Sequence, residues 1–228
     1  MRGAQPIELG MAGHEDEVMA RLAAEPRYSP LWEAAFPGQP ARFEHIKLAL
    51  ACFTRSLISG DSAFDRRQLS APASRGADLF YSQRLGCANC HAGFNFTTAT
   101  RHLGSQPTAP PFHNIGLYNL DGAGAYPADA PGLRAFTGLA RDEGRFRVPS
   151  LRNVELTAPY MHDGSVATLE EVIRIYEAGG RGEPSPLRSR ELRSFTLSDA
   201  ERADLVEFLR ALTDHRFVND PRFADPWR

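Results

Sequence analysis

Apolar positions recur at the helical period over several stretches of this chain, and no alternating strand pattern of any length appears. Residues 11–36 read as a short helix and its exit, with Val18, Met19 and Leu22 apolar and Pro26 and Pro30 ending the run. Residues 42–58 carry a stronger pattern: Phe43, Ile46, Leu50, Phe53, Thr54, Leu57 and Ile58 follow the period, and Gly60 stops it. Cys52 lies in that helix among apolar neighbours and reads as a small buried hydrophobe. The polar stretch 60–72, closed by Pro72, marks a boundary between two helical units.

A second unit opens at Ser74, a good N-cap, with Leu79 and Phe80 as the apolar face of its first helix. Residues 104–147 hold much of the Gly and Pro and sustain no period, which predicts a long ordered loop. Two capping boxes follow. Thr168 with Glu171 opens a helix that Gly179-Gly180 closes, and Ser198 with Glu201 opens another carrying Leu205, Phe208, Leu209 and Leu212 on one side. The chain is predicted to be mainly α with long loops.

Composition narrows the class. The 228 residues are 42% hydrophobic and 24% charged, enough apolar material for a core and too much for a disordered chain. No apolar run approaches the ~20 residues of a membrane helix. Twenty-six basic against 28 acidic residues leave a net charge of −2, which speaks against a nucleic-acid surface. Met1 to Glu8 lacks the charged head and apolar centre of a secretory signal. Three cysteines cannot build a disulfide framework, and two of them stand three apart.

Those two define the strongest chemical signal, Cys87-Ala88-Asn89-Cys90-His91. In this arrangement two thiols bond to the vinyl groups of a c-type haem and the adjacent imidazole ligates its iron. A redox CxxC pair would stand near a βαβ pattern, and a zinc site would need a further ligand pair; neither is present. Wrapping such a cofactor also gives the long loop a purpose. For the sixth iron position the candidates are His102, His113, Met161, His162 and Tyr176. Leu169, Val172, Ile173 and Tyr176 share one helical face, so Tyr176 falls on the buried side in the last turn before Gly179. Met161 is the soft ligand of many electron carriers, and spacing leaves the two open. Arg147 and Arg152 suit the carboxylates of a haem, since a guanidinium fork matches a carboxylate. His162-Asp163-Gly164-Ser165 reads as a supporting turn, and His113 as pocket packing.

Gly144-Arg145-Phe146-Arg147-Val148-Pro149-Ser150-Leu151-Arg152-Asn153-Val154, then Leu156-Thr157-Ala158-Pro159-Tyr160-Met161-His162-Asp163-Gly164-Ser165, resemble the bacterial di-haem cytochrome c peroxidase and MauG family. Phe112-His113-Asn114-Ile115-Gly116 and the CxxCH ahead of them match as well. The resemblance implies a c-type cytochrome-like domain over residues 67–228, with residues 1–66 a remnant of the first, peroxide-binding haem domain. It implies an exported, periplasmic oxidoreductase that relays electrons or oxidising equivalents in peroxide-dependent oxidation. A redox protein donor or a protein substrate would be its partner, and a homodimer its assembly. It favours Tyr176 over Met161 as sixth ligand, because the MauG branch has tyrosine at the matching helical position. Pro6-Ile7-Glu8-Leu9-Gly10 is similar to a segment whose glutamate sits over the first haem, which implies acid–base work for Glu8. Thr157 and Pro159 match positions whose carbonyls help hold calcium. Taken alone, a chain with one CxxCH is also consistent with a mono-haem electron carrier without catalytic activity.

Overall fold

A computed structural model of the chain describes residues 13–101, 103–104 and 111–225. Glu8 and His102 lie outside the described residues. The described residues form eight α-helices and one pair of two-residue strands, so the fold is mainly α. No helix among them is long and apolar enough to cross a membrane. The chain divides into two compact units, Met1–Ile58 and Ser59–Arg228.

In the N-terminal unit, the stretch 11–36 holds two helices where one short helix is expected. Helix α1 (Glu15–Ala24) starts with Glu15, Asp16 and Glu17, acidic side chains that suit the positive end of a helix dipole. Pro26 prevents its continuation, and α2 (Tyr28–Ala35) begins afresh. Helix α3 (Phe43–Ser56) fills nearly the predicted span. His45 is its buried residue, stacked on Phe36 with ring centroids 4.3 Å apart. Cys52 is exposed rather than buried, and its sulfur accepts from Arg55 Nη2 at 3.3 Å. Helical period places it correctly along the helix, but this unit is too small to cover that side.

In the C-terminal unit α4 (Ala71–Tyr81) is capped by Ser70, whose hydroxyl accepts from Ala73 N, and not by Ser74. Pro72 sits in the first turn, where a missing N–H costs nothing, so it starts the helix instead of bounding a linker. Helix α6 (Leu169–Ala178) and helix α7 (Asp199–Arg210) carry the two expected capping boxes, and Gly179 closes α6 at φ +74°. The core joins Phe80 and Phe96 to Leu169 and Ile173 of α6 and to Leu205, Phe208 and Leu209 of α7. Helices α4 and α7 touch backbone to backbone at Gly76. A Cβ there would lie 2.0 Å from Asp204 O and 2.8 Å from Phe208 Cβ. Beside it Arg75 grips the side chain of the same Asp204 through two bonds of 2.7 Å.

The long loop contributes one short helix, α5 (Arg134–Thr137), and strands β1 (Phe112–His113) and β2 (Phe146–Arg147), which pair antiparallel. Its interior hangs on Asn114, which has no exposed surface. The Asn114 amide donates to Glu143 O, and its oxygen accepts from Gly116 N and the Tyr126 hydroxyl.

The C-terminal unit takes in the polar residues from Ser59 onward because they are locked onto it. Phe64 packs edge-on to Phe96 and Phe208. Asp214, which precedes α8 (His215–Val218), accepts from Gly60 N, Asp61 N and Phe217 N, each at 2.9 Å, and from the Ser59 hydroxyl. Burial alone would raise the Asp214 carboxyl; the Phe217, Asp61 and Gly60 amides and the Ser59 hydroxyl outweigh it and hold it below the ordinary carboxylate value.

Two predictions follow from these contacts. Gly76→Ala should cost about 1–3 kcal/mol by overpacking, read as a drop in Tm of roughly 2–4 °C per kcal/mol; a Tm equal to the parent's would refute the backbone contact. Because the folded Asp214 pKa is depressed, its contribution is complete above the unfolded value near ~4 and fades as pH falls through the folded one. Asp214→Asn should therefore cost about 1–3 kcal/mol near neutrality and progressively less in acid, measured by urea unfolding at several pH values.

Candidate functional site

Helix α4 runs directly into the cysteine motif. The Ser82 hydroxyl accepts from Leu85 N and donates to Leu79 O, turning the chain out of the helix. Gly86, at φ +66°, then admits a single tight turn over Cys87–Asn89. Cys90 N and His91 N both donate to Cys87 O, at 3.2 and 2.9 Å, so both thiols and the imidazole emerge from one turn of backbone. The thiols are free and partly buried. Burial pushes Cys87 to about 11, and it raises Cys90 as well, with Glu191 acting in the same direction.

His91 is set up as a neutral donor. Burial lowers its pKa, against the carbonyls of Phe96 and Pro149. Its Nδ1 stands 3.1 Å from Phe96 O. A neutral ring that donates from Nδ1 to a carbonyl carries its lone pair on Nε2, the arrangement of a metal-ligating histidine with its supporting acceptor.

Tyr176 comes from the last turn of α6. Its ring keeps some surface, yet its hydroxyl is deeply enclosed: burial raises it far above the ordinary phenol value, and the Cys87 and Cys90 thiols add to the shift. The register of α6 is fixed by the next residue. Glu177 accepts from Arg202 Nε at 2.8 Å and Nη2 at 3.2 Å, and from Leu197 N at 3.0 Å. Glu177 and Arg202 carried no sequence signal beyond their charge. Two thiols and an imidazole on one turn, with an enclosed phenol within electrostatic reach of the thiols, make a donor set that suits a covalently attached haem.

The solved structure of a MauG-like protein associated with microbial copper homeostasis is 43% identical to the chain, with a TM-score of 0.90 over 99% of this chain and 70% of that one. The chain belongs to the di-haem cytochrome c peroxidase and MauG family. The sequence pattern of that family, described as di-haem cytochrome c peroxidase, matches residues 3–73. Methylamine utilization protein MauG of Methylorubrum extorquens is 36% identical over 213 residues, 91% of this chain and 54% of that protein. Cytochrome-c peroxidase IdrP1 of Denitromonas iodatirespirans is 33% identical over 246 residues, 97% of this chain and 64% of that protein. The chain thus spans between half and two thirds of the length of these two relatives. The cofactor of the di-haem family is covalently bound haem c, and the donor set above fits it.

Other residues expected at a di-haem family site are placed unequally. The Arg152 guanidinium is already engaged by groups of the protein itself. Nη1 and Nη2 meet Asp65 at 2.7 and 2.9 Å, Nε donates to Phe94 O at 2.8 Å, and the plane lies 4.3 Å from the Phe94 ring centroid. A haem carboxylate would have to displace Asp65 from it. Arg147 is exposed and gives one N–H to Ala99 O, at 2.8 Å. Met161 is half-buried at φ +70°, in the turn between Tyr160 and Val166. Thr157 and Pro159 are exposed, and their carbonyls accept no hydrogen bond among the described residues. His162 stacks on Phe146 at 3.8 Å. The buried Nδ1 of His113 has no hydrogen-bond partner among the described residues and stands 3.7 Å from Glu191 Oε2. Glu191 escaped the sequence reading because no local pattern links it to His113.

With only 6% of its side chain exposed, Arg152 depends on Asp65 for its charge balance. Asp65→Ala leaves that charge buried and unpaired, and should cost about 3–5 kcal/mol. A urea midpoint close to the parent's would contradict this.

Proposed function

We propose that Cys87 and Cys90 hold one haem c, with His91 and Tyr176 as its axial ligands, and that this centre relays oxidising equivalents in peroxide-dependent oxidation of the di-haem peroxidase and MauG type. The observation that carries the reading is the single turn that presents Cys87, Cys90 and His91 together, with the Tyr176 hydroxyl enclosed within electrostatic reach of both thiols. Bound there, haem supplies reversible one-electron chemistry at iron. The protein's part is to fix and tune. Phe96 O holds the His91 tautomer and ring orientation. Tyr176, as an anionic oxygen donor, favours oxidised iron over reduced iron. Arg147 keeps N–H groups for a haem carboxylate. Glu8 supplies or accepts a proton where peroxide is cleaved, at a further haem outside this chain's single CxxCH. The carbonyls of Thr157 and Pro159 contribute to a calcium site. Related proteins support a periplasmic setting, with a redox protein or protein substrate as partner.

The pyridine haemochrome of denatured protein should report one c-type haem per chain, and replacing both Cys87 and Cys90 by Ala should abolish covalent attachment. Tyr176→Met should raise the reduction potential, and Tyr176→His should give a bis-histidine spectrum. Met161→Leu should leave the spectrum unchanged and cost less than ~1.5 kcal/mol. Methionine ligation seen in the parent and lost with Met161→Leu, but not with Tyr176→Phe, would overturn the Tyr176 assignment.

A further inference from the structure

A polar cluster joins the long loop to the turn at Asp163. The Tyr118 hydroxyl donates to Asp163 Oδ2 at 2.5 Å, and Asp163 Oδ1 accepts from Ser165 N at 3.0 Å. The pair reaches the surface, with Tyr118 half-buried and Asp163 exposed. Arg181 lies 6.0 Å from the Tyr118 ring centroid and donates to Ser165 Oγ at 2.9 Å. Behind Tyr118 the aromatic rings continue inward. Tyr126 follows at 5.5 Å between centroids, and Phe146 lies 6.1 Å from Tyr126. Phe146 pairs in register with His113, which stands close enough to His91 to influence it electrostatically.

A phenol gives up an electron readily only if its proton leaves with it. The hydrogen-bond acceptor therefore decides which tyrosine can be oxidised. Tyr126 donates to the amide oxygen of Asn114 at 2.9 Å, and Tyr160 points at the Glu155 carbonyl at 3.4 Å. Neither acceptor is a base. Tyr118 alone of these three donates to a carboxylate, a base strong enough to take the proton of an oxidised phenol, which is far more acidic than the phenol itself.

We propose that Tyr118, with Asp163 as its proton acceptor, is a surface site at which small phenols are oxidised. Tyr118 gives one electron inward, by way of Tyr126, to a haem that peroxide has oxidised one electron beyond the ferric state, and the haem returns to ferric. Its O–H bond breaks and the proton passes to Asp163. An external phenol then returns an electron to Tyr118, losing its own proton to water, while Asp163 gives back the proton it held. The site rests on the haem assignment made above, since the haem is the oxidant.

The test is flash-quench oxidation of the haem-loaded chain with photogenerated ruthenium(III), in the presence of biotin-tyramide. Labelled tyrosines are located by peptide mass spectrometry, and radicals are followed by electron paramagnetic resonance. Label should concentrate on Tyr118 and disappear with Tyr118→Phe. Asp163→Asn keeps a hydrogen-bond acceptor but no base, and should lower label at Tyr118 at least tenfold. Tyr126→Phe should lower it several-fold by interrupting the path. Label centred on Tyr28, Tyr81 or Tyr160, or an Asp163→Asn yield equal to the parent's, overturns the proposal. A pyridine haemochrome count of zero defeats the haem assignment and this site together. One haem per chain without label at Tyr118 defeats this site alone.

Discussion

Both halves of the candidate site are registered against helix α7, and the close approach of α4 to α7 at Gly76 is the constraint on which that registration depends. The cysteine turn emerges from the end of α4, whose distance from α7 is set by a position that cannot carry a Cβ. Tyr176 stands at the end of α6, held to α7 by the Glu177–Arg202 fork. A shift of α7 would displace the two thiols and the phenol relative to one another. The ion pair Arg75–Asp204 reinforces the contact where the helices are nearest. Core packing supplies the bulk attraction between these helices, while glycine and the two forks decide how they align.

Signals confined to a few neighbouring residues were legible in the sequence. The capping boxes at Thr168 and Ser198, the closure at Gly179 and the apolar face that includes Tyr176 all rest on spacing within one or two turns. The cysteine motif is local too. What escaped depends on partners distant along the chain. Residues 59–66 have the composition of a linker, yet their polar groups meet Asp214 and Arg152. Ser74 and Ser70 are equally good caps by composition; Pro72 between them favours the earlier one, because its fixed φ and missing N–H suit the first turn of the helix that Ser70 caps. Arg152 illustrates the same limit from the other side. Its chemistry suits a haem carboxylate, and only the fold reveals that Asp65 and Phe94 already occupy the fork.

The two units differ in how they treat apolar surface. In the C-terminal unit Phe96, Phe208 and Leu212 are almost wholly enclosed. In the N-terminal unit Leu48, Phe53 and Ile58 are about half exposed or more. The polar interior of the long loop, centred on Asn114, does for irregular backbone what apolar packing does for the helices.

Asp214 gives this unit a topological property. A single carboxylate gathers the amides of Gly60 and Asp61, where the unit begins, and that of Phe217, close to where the described chain ends. The polypeptide between them is a closed circuit whose entrance and exit lie side by side. Chain can be added at either mouth without threading the interior. A unit closed in this way is portable: it can be joined to different flanking segments, or have its termini relocated to another surface loop, while the helices that present Cys87, Cys90, His91 and Tyr176 keep their places.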